Sequence, residues 1–264
     1  MAYEAIMFEK DGSIATITLN RPEALNAINR QLGNECLDAL NQCWDDEEVR
    51  AIILKGAGRA FCAGDDIRGS GTPPAQRSSL SQDPLVALRQ APYYRLMKML
   101  RAIPKPVITS VHGFAVGAGC DLVLTSDIKI AAEGTRFGAV FVQRAILGGT
   151  YFLAKYVGLG RATELLLTGD MFDAQEALRL GVVTRVVPPE QLEEETKKWA
   201  ERMANSPTRV IGYIKHALNQ GLGVGIDEGI EYQTVGAMLT GLTEDNIEGR
   251  TAFAEKRQPT YKGK

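Results

Sequence analysis

The sequence predicts an α/β protein whose C-terminal part is helical. Short β-branched runs alternate with longer stretches of mostly helical pattern through the first two thirds of the chain, and from about residue 188 onward consecutive helices are predicted. Buried strands separated by helices are typical of a sheet whose faces are covered by helices. A chain of 264 residues is long enough for one large domain with a substantial core.

The individual elements follow from two periodicities. In residues 13–20, Ala15, Ile17 and Leu19 alternate with threonines, which predicts a strand. Residues 26–44 predict a helix, because apolar side chains recur every three or four positions. Further strands are predicted at residues 50–55, 106–112, 127–131 and 182–187, and C-terminal helices at 189–205, 207–220, 225–240 and 243–256.

Local sequence patterns also predict a helix start, a loop and a boundary between two parts of the chain. Asp173 and Glu176 form a pattern that starts a helix. Residues 69–84 are rich in Gly, Pro, Ser and Gln and predict a surface loop, either a plain connector or a lid. The change to consecutive helices divides the chain into a core of residues 1–188 and a helical subdomain of residues 189–264.

Composition and charge argue against several classes of protein. The net charge of -2 argues against nonspecific nucleic-acid binding, and no apolar run approaches the roughly 20 residues that span a bilayer. The first ten residues contain two glutamates and predict no signal peptide. Four cysteines without paired spacing predict a reduced, cytoplasmic protein, and the two histidines cannot form a multi-histidine metal site. We therefore expect no metal and no membrane association.

Two segments share one design, in which a buried strand enters a glycine-rich turn and then a helix. They are IILKGAGRAFCAGDDIR at residues 52–68 and VITSVHGFAVGAGCDLV at residues 107–123. Glycines permit close approach of a ligand to the main chain, and the first amides of a helix are free to bind an anion. Gly113, Gly117 and Gly119 do not have the spacing of dinucleotide-binding or phosphate-binding loops. The turns therefore indicate either an oxyanion site or glycines that serve helix–strand packing alone.

Taken together, the two turns resemble the signatures of the crotonase superfamily, the enoyl-CoA hydratase/isomerase family. Further matching segments are LNRPEALNAI at residues 19–28, GDMFDAQEALRLGVVTRVV at residues 169–187 and FAEKRQPTYKGK at the C-terminus, so the resemblance covers essentially the whole chain. It implies a spiral of repeated strand–strand–helix units with a C-terminal helical oligomerisation subdomain. It also implies an acyl-CoA thioester as substrate, no separate cofactor because coenzyme A enters as part of that substrate, and a homotrimer or dimer of trimers.

The resemblance also assigns roles to residues. The backbone amides of Asp65 and Ala118 would bind the thioester oxygen, and Asp121 would be the first catalytic carboxylate, the alternative being that Asp121 complements the helix N-terminus. Tyr93 or Tyr94 is expected to border the pocket. Positions implied in CoA binding are Ala24, Leu25, Ala27, Ala63, Asp66, Arg68 and Lys256, the two basic residues otherwise being surface charges.

One departure from the family bears on the reaction. Hydratases of this family use two glutamates, and the position of the second is occupied by Phe141, in a segment about three residues short before Gly148 and Gly149. The resemblance therefore implies atypical hydration or double-bond isomerisation ahead of decarboxylation, dehalogenation or thioester hydrolysis. A noncatalytic acyl-CoA-binding protein is the alternative from another class, and a nucleotide-binding α/β domain is more distant. The acyl group stays open, because the shape of the pocket depends on loops such as residues 69–84 and 92–100, whose positions the sequence does not give.

Overall fold

A computed structural model describes residues 3–66, 92–221 and 223–264. Within them the chain forms a mixed α/β fold with a helical C-terminal region. The predicted loop at residues 69–84 and the predicted CoA-binding residue Arg68 lie outside the described residues. None of the described helices is long and apolar enough to cross a membrane.

The larger sheet has six strands, which lie in the order β1 (Ile6–Asp11), β2 (Ile14–Leu19), β3 (Ala51–Gly56), β4 (Val107–Val111), β6 (Ile128–Ala132) and β9 (Arg185–Val187). Strands β1 and β2 are antiparallel, and every other neighbouring pair is parallel. All five residues of β4 are buried, as a central parallel strand covered on both faces requires.

A second, smaller sheet consists of three strands of three residues each. These are β5 (Phe114–Val116), β7 (Arg136–Gly138) and β8 (Met171–Asp173), with β7 between the other two. Strand β5 follows β4 after a turn at Gly113, and α3 (Ala118–Thr125) begins directly after β5. The small sheet therefore fixes the direction in which the second glycine-rich turn leads into its helix.

The remaining helices cover the sheets and form the C-terminal region. Short 3₁₀ helices lie at Pro22–Ala24, Val140–Arg144 and Pro189–Gln191. The α-helices besides α3 are α1 (Arg30–Asp45), α2 (Pro92–Ala102), α4 (Thr150–Val157), α5 (Leu159–Thr168), α6 (Ala174–Arg179), α7 (Leu192–Ala204), α8 (Thr208–Gly221), α9 (Ile226–Thr240) and α10 (Glu244–Glu255).

Two hydrophobic clusters lie on opposite sides of the large sheet. The main cluster joins α1, α2 and α3 to the sheet through Leu40, Leu100 and Leu122, each almost fully buried. A smaller cluster packs Ala200 and Ala204 of α7 on the other face. This arrangement holds the start of α3 rigidly, since every residue of that helix is buried.

A buried ion pair connects α8 to the sheet. Lys215 Nζ lies 2.6 Å from Asp127 Oδ2, which also accepts a hydrogen bond of 2.9 Å from the Val107 amide. Removing one partner of such a pair leaves an uncompensated buried charge, so the pair ties the helical region to the ends of β4 and β6.

The structure confirms most of the predicted elements and corrects several bounds. The predicted helix at residues 26–44 begins only after Asn29, whose side chain caps α1 by accepting a hydrogen bond of 2.8 Å from the Leu32 amide. The predicted strand at residues 182–187 is shorter, because the Val182 and Val183 amides both bind the Ala177 carbonyl in a turn. Asp173 caps α6 as predicted.

One local expectation was wrong. Residues 92–100 were expected to be a pocket-shaping loop, yet they belong to α2. Leu96 and Leu100 lie one turn apart on the buried face of this helix, and that packing determines its structure. Strand β1 and the small sheet were not predicted.

Candidate active site

The first glycine-rich turn runs between two neighbouring segments. On one side, the Ile28 amide donates to the Gly64 carbonyl at 2.8 Å, and the Asp66 amide donates to the Ile28 carbonyl at 3.0 Å. On the other side, Cys62 forms a parallel bridge with Ala115 of β5. These bonds occupy the Gly64 carbonyl and the Asp66 amide, on either side of Asp65, so the Asp65 amide faces away from Ile28.

The two turns meet at Gly64. This glycine has φ +98°, and a Cβ added to it would lie 2.8 Å from the Val116 carbonyl oxygen and 3.4 Å from the Ala118 nitrogen. A side chain is therefore excluded at the point where the Asp65 and Ala118 amides approach one another. Both backbone conformation and space require glycine here.

The amides of Asp65 and Ala118 have no backbone acceptor among the described residues. Ala118 is the first residue of α3, and its N–H group has no partner inside the helix because the first bond of the helix runs from the Asp121 amide to the Gly117 carbonyl at 3.1 Å. The arrangement leaves two donors close together at the positive end of a helix, which suits a developing oxyanion.

Asp121 is the buried carboxylate of this region, with 3% of its surface exposed. Burial raises its pKa to about 6, and the charge of Asp65 contributes in the same direction. A hydrogen bond from the Tyr93 hydroxyl and the nearby Gly149 amide act in the opposite direction and favour the ionised form. A carboxyl with this pKa can exchange a proton near neutral pH.

The two carboxylate oxygens of Asp121 have different surroundings. Oδ2 accepts the hydrogen bond of Tyr93 from α2. Oδ1 is buried without a hydrogen-bond partner of normal geometry among the described residues. Oδ2 is thus engaged by Tyr93, and Oδ1 is the oxygen that has no side-chain donor in the described part of the chain.

Asp65 provides a second acidic group at the first turn. Asp65 is exposed to solvent, but the protein atoms around its carboxyl group partly desolvate it and raise its pKa. Asp65 lies close enough to Asp121 for its charge to disfavour ionisation of Asp121.

Phe141 occupies the wall beside the second turn. It lies in the 3₁₀ helix Val140–Arg144 and is 8% exposed. A Cβ added to Gly117 would lie 3.9 Å from its ring, and one added to Gly148 would lie 2.5 Å from it. An aromatic ring, without acid–base capacity, therefore fills the space between Gly117 and Gly148.

The positions predicted to bind CoA lie largely together. The Ala63 amide donates to the Leu25 carbonyl at 2.9 Å, which places the segment holding Ala24, Leu25 and Ala27 directly beside the first turn. Asp66 forms an ion pair of 2.8 Å with Arg21, whose guanidinium also donates to the Ala27 carbonyl. The side chain of Asp66 thus connects the two segments.

Lys256 is not brought to this site. It is exposed in a left-handed conformation at the end of α10, and no contact with the two turns is found in the described part of the chain. A cavity of about 930 Å³ between α8, α9 and the C-terminal residues contains none of the predicted site residues and is separate from the turns. The described residues contain no cluster of three His, Cys, Asp or Glu side chains that could hold a metal.

The fold and the paired turns define a crotonase-like protein. The chain belongs to the enoyl-CoA hydratase/isomerase family, whose sequence pattern matches residues 9–264. It is 37% identical to a crotonyl-CoA hydratase from Syntrophomonas wolfei and 34% identical to a 1,2-epoxyphenylacetyl-CoA isomerase from Escherichia coli, in each case over 99% of both chains. The solved structure of an enoyl-CoA hydratase/isomerase from Mycobacterium paratuberculosis matches it over 100% of both chains, with 31% identity and a TM-score of 0.90.

Proposed function

We propose that the protein isomerises the double bond of an enoyl-CoA thioester, with Asp121 as the single proton carrier. The observation that carries this proposal is one buried carboxylate, Asp121, in a site where the ring of Phe141 forms an apolar wall and two amides have no backbone acceptor among the described residues. Isomerisation requires one group that removes and returns a proton, whereas the two-carboxylate hydration of this family requires a second acid–base group. Phe141 stands at the position we assign to that second group.

The reaction is a transfer of one proton along the acyl chain. Asp121 Oδ1 takes a proton from the α-carbon of a 3-enoyl thioester, and the electron pair of the broken C–H bond spreads into the thioester carbonyl. The Asp65 and Ala118 amides stabilise the resulting oxyanion, an interaction of a kind worth about 3–4 kcal/mol per donor in the barrier. Protonated Asp121 then returns the proton to the γ-carbon, which gives the 2-enoyl thioester and regenerates the carboxylate.

Binding of the CoA moiety is proposed along the paired segments. The strip that includes Ala24, Leu25, Ala27 and Ala63 offers main-chain groups beside the oxyanion amides, and the Arg21–Asp66 ion pair holds the two segments together. Arg68 and Lys256 are proposed as cations for CoA phosphates, the latter toward a neighbouring subunit. CoA enters as part of the substrate, with no separate cofactor.

Hydration by a single carboxylate is the second candidate, because several relatives of this chain are named as hydratases. In that reaction Asp121 would activate a water molecule and the same residue would have to supply the proton. The products that form distinguish a decarboxylase, a dehalogenase and a thioesterase from both candidates. A noncatalytic acyl-CoA-binding protein would form no product.

A homotrimer or dimer of trimers is the proposed assembly. Support comes from the C-terminal helices, where α9 has no buried residue and carries several large apolar side chains on its surface. The most exposed of these in and next to α9 are Ile226, Met238 and Leu242. A cytoplasmic location is proposed from the four free cysteines.

The test compares the wild-type protein with two variants on 3-enoyl-CoA and 2-enoyl-CoA esters. Isomerisation is followed by the gain of conjugated enoyl-thioester absorbance, hydration by its loss, and enolate formation by exchange of α-hydrogen for deuterium in heavy water. Asp121→Asn should reduce isomerisation and exchange by about 10²- to 10⁴-fold, as expected for loss of a general base. The matched control is Asp170→Asn, because Asp170 is an exposed carboxylate outside the turns.

Each result decides between the candidates. Isomerisation and exchange that both depend on Asp121 support the proposal. Hydration without isomerisation would replace it by the second candidate. Binding of CoA esters with neither turnover nor exchange would show a noncatalytic protein.

A further inference from the structure

Tyr93 and Asp121 join two helices at the candidate active site. Tyr93 lies in the first turn of α2 and Asp121 in the first turn of α3. The Tyr93 hydroxyl donates a hydrogen bond to Asp121 Oδ2. This contact joins the only described helix between β3 and β4 to the helix that provides the Ala118 amide.

The position of Tyr93 is fixed by packing. A Cβ added to Gly33 of α1 would lie 2.6 Å from the side chain of Pro92, so the start of α2 rests directly on α1. Leu96 and Leu100 bury the same helix in the core. Because its helix cannot shift without repacking, the Tyr93 hydroxyl is a rigid donor rather than a mobile surface group.

The neighbouring tyrosine has a different environment. Tyr94 contacts Tyr93 with ring centroids 5.0 Å apart, but its side chain is 41% exposed. No hydrogen bond joins Tyr94 to Asp121 among the described residues. The two tyrosines thus differ in one relevant contact while sharing the same helix.

We propose that Tyr93 is a positioning residue for proton transfer, which holds Asp121 through Oδ2 so that Oδ1 faces the α-carbon of the thioester. This inference rests on the proposed function and adds a residue to it. One oxygen of the carboxylate is committed to the phenol, and the other is buried without a partner of normal geometry in the described part of the chain. A carboxylate fixed in this way cannot rotate its reactive oxygen away from the substrate.

The phenol keeps its proton throughout the cycle. Burial, followed by the charge of Asp121, raises the pKa of Tyr93 far above the neutral range. When Asp121 Oδ1 is protonated, Oδ2 becomes the carbonyl oxygen of the acid and still accepts the same hydrogen bond. Tyr93 therefore orients the proton carrier in both protonation states without exchanging a proton itself.

Among the described residues, the groups that act on Asp121 come from several elements. They are Tyr93 from α2, the Asp65 carboxyl from the first turn, the Gly149 amide at the start of α4, and the adjacent thiol of Cys120 on α3. Asp65 raises the pKa of Asp121, and the Tyr93 hydroxyl and Gly149 amide lower it. Loss of the hydroxyl should therefore raise the pKa of Asp121.

The experiment compares Tyr93→Phe with Tyr94→Phe, each of which removes one phenolic oxygen. The first readout is the titration of the Asp121 carboxyl by carbon-13 NMR, with the resonance assigned by its loss in Asp121→Asn. The second is kcat and KM for isomerisation of a 3-enoyl-CoA ester. For Tyr93→Phe we expect a higher Asp121 pKa and a kcat reduced about 10- to 100-fold with KM within about twofold, whereas Tyr94→Phe should change neither.

The two readouts separate failure of this inference from failure of the proposed function. If the wild-type protein does not isomerise the ester, the proposed function fails. An Asp121 pKa that still shifts in Tyr93→Phe would then show that Tyr93 controls the titration of Asp121, and it would overturn a role of Tyr93 in proton transfer. An unchanged titration in Tyr93→Phe would overturn the hydrogen bond as the controlling contact. A shifted titration with unchanged kcat would overturn the positioning role.

Discussion

The ring of Phe141 packs directly on the backbone of Gly148. A Cβ added to this glycine would lie 2.5 Å from both Cδ1 and Cε1 of the ring, a distance that would force the ring to move. Gly148 lies in the short connection between the 3₁₀ helix Val140–Arg144 and α4. Because glycine has no side chain, the ring of Phe141 can pack on its backbone and form one wall of the site. The wall is apolar and tightly packed.

This wall predicts the result of adding a carboxylate. Phe141→Glu should increase hydration of crotonyl-CoA at least about 10-fold over Phe141→Gln, because a second acid–base group assists attack by water. Both variants remove a buried ring and should lose about 3 kcal/mol or more of unfolding free energy, so thermal unfolding must first confirm that they fold. Equal hydration by the Glu and Gln variants would show that position 141 is not where the second carboxylate acts.

The pKa of Asp121 predicts how activity depends on pH. Because burial raises this pKa to about 6 and the base must be ionised, kcat/KM for isomerisation should rise with pH through about 6 and level off above it. The profile is best measured with an acyl-pantetheine ester, which has no phosphate that titrates in the same range. A flat profile, or one that falls through this range, would contradict Asp121 as the base.

The same carboxylate should lower the stability of the protein at neutral pH. A pKa raised from 3.8 to about 6 means that the folded state binds more protons than the unfolded state between these values, so the unfolding free energy falls as pH rises through that window. The loss is on the order of 3 kcal/mol at neutral pH. The ionised carboxylate is therefore destabilising as well as reactive.

Asp121→Asn should therefore stabilise the protein while it inactivates it. We expect an unfolding free energy about 1–3 kcal/mol higher than wild type at about pH 8, measured by urea denaturation, with the difference shrinking toward about pH 4. Asp170→Asn, at an exposed position, should change the unfolding free energy by less than about 0.5 kcal/mol. A variant that is less stable than wild type at the higher pH would indicate that the carboxylate is structural.

The sequence predicted the main parallel strands well because their signal is local. Residues 106–112 form a short run rich in β-branched residues, and β4 is buried throughout. The small sheet could not be predicted in the same way, since three residues per strand are too few to show an alternation. Strand β1 has only one fully buried residue, Ile6, and this edge position weakens its pattern.

The candidate active site was likewise predictable only in part. The two turns could be recognised from their glycines and from the family resemblance. The hydrogen bond from Tyr93 to Asp121 could not, because it depends on how α2 packs against α3. The spacing of Leu96 and Leu100 was the available signal for α2, but the run was interpreted as a loop.

Because the two turns approach each other at Gly64, we predict that a substitution there reduces activity more than its effect on stability explains. Gly64→Ala would place a methyl group 2.8 Å from the Val116 carbonyl oxygen and 3.4 Å from the Ala118 nitrogen, in a backbone with φ +98°. Gly134 is a suitable control, because it has φ +79° and no atom within 4 Å of an added Cβ. Gly134→Ala therefore reports the cost of the backbone conformation alone, on the order of 1 kcal/mol.

We expect Gly64→Ala to reduce kcat for isomerisation by at least about 10²-fold, because the turns must move apart and the two amides lose their common focus on the oxyanion. Gly134→Ala should lower the unfolding temperature modestly and leave kcat unchanged. The measurement is kcat for both variants at a temperature where each is shown by circular dichroism to be folded. If the two variants lose activity equally, the effect arises from backbone strain in general. If Gly64→Ala is folded and fully active, the two amides do not form the oxyanion site.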